Sequence, residues 1–115
     1  MNGFDSKLVI CGDYRHPRQM LNDQTYDGHV SIHDDKMAED LGFSGAPIEG
    51  PTHFSQFVPL LAEVFGQPWF ETGCISSHYL NMVVEGEEVR AFVERPAEGA
   101  LITRIWAEKR DGTPV

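Results

Sequence analysis

His33 and Asp34 stand side by side, with Asp27 and His29 just upstream and Asp35 just after. An imidazole and a carboxylate within reach of one water can activate it and deliver a proton elsewhere, which is general acid–base chemistry. On that reading His33 is the general base, and Asp27 or Asp34 orients it or relays a proton. The same residues suit a plainer task, in which His33, Asp34 and Asp35 cap a short helix in solvent. Asp27, His29, His33 and Asp34 can also be drawn as metal ligands. They contain no helical i, i+4 His pair and no metal-type spacing, so no metal is expected.

A second group lies at Glu49, Gly50, Thr52 and His53. Gly50 admits a close approach to the backbone, and the N–H groups of Gly50 and Thr52 at a helix start can stabilise a developing negative charge. Pro51 has no N–H to offer. In the competing reading Gly50 is an N-cap and Pro51 a helix starter, with no ligand involved. His53, one turn into this helix, and His78, in a strand candidate, suit a structural role as well as a functional one.

The elements that must position these groups follow from periodicity and punctuation. Residues 7–12 form a short apolar run of strand length, and 13–32 are mostly loop. Residues 34–41 suit a short helix capped by Ser31 or Asp34 and stopped by Gly42. After a second loop at 43–49, Gly50 opens a long helix. Phe54, Phe57, Val58, Leu61, Val64 and Phe65 give it one broad apolar stripe. Pro59 should bend it by freeing the Ser55 carbonyl, and Gly66 and Pro68 end it. Three strand candidates follow at 74–84, 89–94 and 101–108. Turns at Glu85-Gly86-Glu87, Ala97-Glu98-Gly99 and Asp111-Gly112 separate and close them. Trp69, Phe70 and Trp106 suit a core or an interface rather than a cofactor platform.

Length and composition bound the rest. The 115 residues suit one domain, 1–115, with an ordinary apolar content. A formal net charge of −9 opposes phosphate backbones and so argues against nucleic acid as a partner. The two cysteines, Cys11 and Cys74, offer no disulfide framework. No stretch has the length of a membrane span and the N-terminus lacks a signal-peptide core, so a cytoplasmic protein without membrane partners is expected.

The order of these elements, and several short motifs, resemble the MaoC-like acyl-thioester hydratases and dehydratases of the hotdog superfamily. The resemblance covers residues 26–115. It is carried by Asp27-Gly28-His29-Val30-Ser31-Ile32-His33-Asp34 and Ala38, then Leu41-Gly42-Phe43 and Ala46-Pro47-Ile48-Glu49-Gly50. His78-Tyr79-Leu80 and Glu85-Gly86-Glu87 follow downstream. It implies an α+β hotdog fold, a curled antiparallel sheet wrapped around one long central helix. It also implies an acyl-CoA or acyl-carrier thioester as ligand, reversible hydration of a 2-enoyl thioester, no cofactor, and a homodimer or higher homo-oligomer. Asp27, His33 and Asp34 fall in the catalytic region, and Glu49, Gly50, Thr52 and His53 in the substrate-binding one. The catalytic motif departs from the family in either register. With Asp27 on the catalytic Asp, Ile32 takes the His position; with His33 on the catalytic His, Gly28 takes the Asp position. The resemblance therefore leaves open a non-catalytic binding or assembly protein. It also leaves open a hotdog thioesterase, for which Glu49 or Glu63 would supply the carboxylate. In the family a further strand follows the Asp-Gly turn, so either the chain is truncated there, or another chain or the N-terminal segment is expected to fill the gap.

Overall fold

The computed structural model describes residues 8–18, 47–48 and 50–115. They form an α+β arrangement of three strands and three short helices. Strand β1 is Val9–Cys11, and helices α1 (Gly50–Ser55), α2 (Val58–Phe65) and α3 (Gln67–Thr72) follow. Strands β2 (Val89–Glu94) and β3 (Ile105–Lys109) complete the order. The candidate helix at 34–41 lies outside the described residues.

The sheet is antiparallel and uncurled, in the order β1-β2-β3. Strand β2 falls where its alternation places it, with Val89, Ala91 and Val93 buried. Ala91 sits opposite Ala107 and Val93 opposite Ile105, so β3 presents the same face to the helices. Beyond Cys11 the pairing slips by one residue: Cys11 faces Phe92, while Arg15 faces Val89. The chain from Gly12 to Tyr14 takes up the extra residue, in the manner of a β-bulge. Two bonds, Arg15 N–H to the Val89 carbonyl (2.8 Å) and Val89 N–H to the Arg15 carbonyl (2.9 Å), close the ladder again.

The expected single long helix is two helices. Pro59 cannot donate to the Ser55 carbonyl, so α1 stops there and the turn tightens. Gln56 N–H bonds to the His53 carbonyl and Phe57 N–H to the Phe54 carbonyl. Pro59 then sits in the first turn of α2, where its missing N–H costs nothing. Gly66 ends α2 as expected, at φ 69° and ψ −150°, a conformation that side-chain-bearing residues avoid. Pro68 does not simply terminate: it starts α3, a helix absent from the sequence expectation.

The buried helical face also differs from the apolar stripe. The buried positions are His53, Gln56, Phe57, Leu60 and Leu61. Phe54, Val58, Val64 and Phe65 are only half-buried. Phe57 and Leu61 belong to both sets, so the surface packed on the sheet is rotated from the most apolar one. The core combines Leu60 and Leu61 with Val89, Ala91, Val93 and Ala107.

Two strand expectations are corrected. Residues 74–84 form no strand, because a strand exists only through a partner. Among the described residues, Val84 alone of this segment bridges, to Pro47. Ile48 N–H bonds to the Val83 carbonyl at 2.7 Å, which ties 47–48 to the end of the segment. The third strand begins at Ile105 rather than at 101. Residues 97–100 turn back on an Ala100 N–H to Ala97 carbonyl bond, leaving Leu101 and Ile102 90% and 86% exposed. The curled wrap around one central helix is thus not formed among the described residues.

Candidate functional site

Asp27, His29, His33, Asp34 and Glu49 lie outside the described residues, so the acid–base group has no described geometry. The start of α1 and its surroundings are described. Gly50 opens α1 and lies directly against Tyr79: a methyl built on Gly50 would run into the Tyr79 hydroxyl. His53, one turn on, is buried, with its ring tilted 46° to that of Tyr79 at a centroid distance of 6.0 Å. Phe54 stacks on the same Tyr79 ring at 5.9 Å. Tyr79 thus caps the outer surface of α1 and marks where segment 74–82 meets it.

A cavity of about 360 Å³ opens at this point. Its wall comprises Pro47, Ile48, Gly50, His53 and residues 79–82, mostly apolar with His53 and Asn81 as polar groups. Such a composition suits an apolar ligand oriented by a few polar contacts. Gly50 and His53 therefore line one cavity. Thr52 does not line it; its carbonyl accepts a bond from the Ser55 hydroxyl at 2.6 Å. Glu63 is exposed on α2 and lines none of the described cavities. His78 is exposed and borders a neighbouring groove.

That groove has two sections. One, of about 290 Å³, includes Phe54, Phe57, Ser76, His78, Ile105 and Ala107. The other, of about 330 Å³, includes Leu61, Phe65, Trp69, Cys74, Ile75 and Leu101. Ser76 and Ile105 belong to both. Trp69 thus packs partly on the core and partly on the groove. Trp106 lies on the opposite face of the sheet, stacked on Phe92 at 5.4 Å with the rings 5° apart.

Polar interactions gather at the far end of β2. Burial alone would raise the Glu87 carboxyl, but the Lys109 ammonium at 2.8 Å and the Val84 N–H at 2.9 Å together hold it below its ordinary value. Arg110 hydrogen-bonds Glu88 and lowers its carboxyl, with His16 3.3 Å from the same group. Tyr14 is clasped between Arg90 and Arg110, whose guanidinium carbons lie 4.1 and 4.0 Å from its ring centre. These contacts fix the chain after β1 onto the hairpin.

Sequence reasoning missed Tyr79 and Gln56. Tyr79 was visible only as part of an aromatic strand motif. Its approach to Gly50 depends on a segment that leaves the sheet. Gln56 breaks no periodicity and carried no signal. Cys11 and Cys74 are both free and exposed, and among the described residues no group of His, Cys, Asp and Glu is placed to hold a metal ion. No helix among the described residues is long and apolar enough to cross a membrane. No family model, no curated protein and no solved structure matches this chain.

Proposed function

We propose that this chain is an acyl-thioester-binding protein of hotdog type, related in kind to the hydratases and dehydratases. The observation that carries the reading is the apolar cavity beside Gly50, with His53 and Tyr79 in its wall. An acyl chain buries apolar surface there, and the Tyr79 hydroxyl, seated against Gly50, gives the thioester a polar neighbour. Turnover on this reading requires Asp27, His33 and Asp34 to converge on that cavity and hold a water against the enoyl double bond. Two copies associate, as the resemblance implies.

The test has two arms. Calorimetric titration is expected to show octanoyl-CoA binding more tightly than free CoA, with Gly50→Val removing the difference by displacing Tyr79 from the cavity wall. Hydration of crotonyl-CoA, followed by loss of the enoyl absorbance, is expected to vanish in His33→Ala. Binding without turnover would assign a non-catalytic acyl binder. Folded protein that neither distinguishes octanoyl-CoA from CoA nor hydrates the enoyl substrate would refute the reading. An assembly role would then stand in its place, favoured by the exposed Leu101 and Ile102 just before β3.

A further inference from the structure

His53, Tyr79 and Leu80 belong both to the wall of the Gly50 cavity and to that of the neighbouring groove. They form the partition between the cavity, about 360 Å³, and the adjoining groove section, about 290 Å³. Tyr79 spans that partition. Its hydroxyl rests against Gly50, which among the described cavities lines this one alone. Its ring stacks at 5.9 Å on Phe54, which lines the groove alone. His53, buried on α1 with its ring 6.0 Å from that of Tyr79, backs the partition from the helix side. The contact requires Gly50, because any Cβ there would displace the hydroxyl and the ring with it.

Where this partition stands decides how much apolar surface one ligand can cover. On its far side the groove runs on past Ser76 and Ile105 into the section of about 330 Å³ beside Trp69. On its near side the cavity lies close to the lower end of the roughly 300–1,000 Å³ usual for ligand sites. Each further methylene buried tightens binding roughly fourfold, so the point at which a chain is stopped sets which acyl group is preferred.

We propose that Tyr79 is the specificity-determining residue of this site: its ring ends the space open to the acyl chain, so that chains of medium length are taken and longer ones are excluded. The inference rests on the acyl-thioester reading of the Gly50 cavity and names the substrate class within it. Tyr79 is 55% exposed and is not a member of the core, so replacing it alters the partition without removing a core side chain.

The test compares octanoyl-CoA with dodecanoyl-CoA by calorimetric titration of the full chain, in the parent and in variants whose far-ultraviolet dichroism shows them folded. The parent is expected to bind octanoyl-CoA at least as tightly as dodecanoyl-CoA. Tyr79→Ala should move the ratio about tenfold or more towards dodecanoyl-CoA, since burial of roughly two further methylenes is enough for that. Tyr79→Leu keeps an apolar side chain of shorter reach and should move it less, in the same direction. Tyr79→Phe removes the hydroxyl but keeps the ring, so its ratio should remain that of the parent, whatever the hydroxyl contributes to both ligands. A ratio unchanged in Tyr79→Ala and Tyr79→Leu, in a parent that binds octanoyl-CoA more tightly than CoA, would overturn the proposal and leave the acyl reading standing. So would a parent that already prefers dodecanoyl-CoA by about tenfold. Binding of neither acyl ligand above CoA would overturn the acyl reading and this inference together.

Discussion

Gln56 is 7% exposed, yet among the described residues neither the oxygen nor the nitrogen of its carboxamide meets a hydrogen-bonding partner. A buried polar group left unmatched costs about 1–3 kcal/mol, whereas an apolar side chain of similar shape removes that cost. Gln56→Met is therefore expected to raise unfolding stability by about 1 kcal/mol, read as a higher urea midpoint at unchanged slope. Glu87 acts in the opposite sense. Its carboxyl is held below the ordinary 4.5 in the folded chain, so its stabilising contribution is present above that value and is lost as pH falls through the lowered one. Glu87→Gln should flatten the acid limb of a melting-temperature profile below about pH 4.5 and leave Lys109 without its partner at neutral pH. A profile identical to that of the parent would remove Glu87 from the acid response. Neither residue was legible beforehand: Glu87 was visible as a turn residue, but its pairing with Lys109 needs the β2–β3 register.

At the scale of elements, legibility followed locality. Strand β2 could be read from alternation alone because one of its faces, Val89, Ala91 and Val93, is buried and the other is not. The turn at Asp111-Gly112 was equally local: Gly112 N–H bonds to the Lys109 carbonyl, and Asp111 accepts from the Thr113 N–H at 2.9 Å. Segment 74–84 has strand-like composition but no strand, since pairing is set by what lies beside it. The helical region failed in a third way. Pro59 was expected to bend one helix; instead the helix breaks before it, and the turn tightens into the Gln56–His53 and Phe57–Phe54 bonds. Gly66 is where the α2–α3 junction depends on one residue type. Gly66→Ala forces a Cβ into a left-handed conformation and should destabilise the chain by about 1–2 kcal/mol. Denaturant unfolding with a midpoint equal to that of the parent would show that the junction relaxes instead.

Across the whole molecule, apolar exposure and net charge oppose each other. Leu80, Leu101 and Ile102 are 64%, 90% and 86% exposed, and Tyr79 and Phe70 are more than half exposed. These side chains favour association, as the proposed dimer requires. The formal charge of −9 on each copy resists it, because two like-charged molecules repel at every orientation of approach. Salt shortens the reach of that repulsion to a few ångströms at about 1 M, while contacts between apolar surfaces persist. Self-association should therefore strengthen as sodium chloride rises from about 20 mM to about 500 mM, the reverse of an interface built on opposite charges. Light scattering at micromolar protein, with mass measured at both salt concentrations, reads the sign directly. A mass that falls with salt would place ion pairs at the interface. A monomer at both would show that these exposed apolar side chains do not bring copies of this chain together, and the dimer would be abandoned.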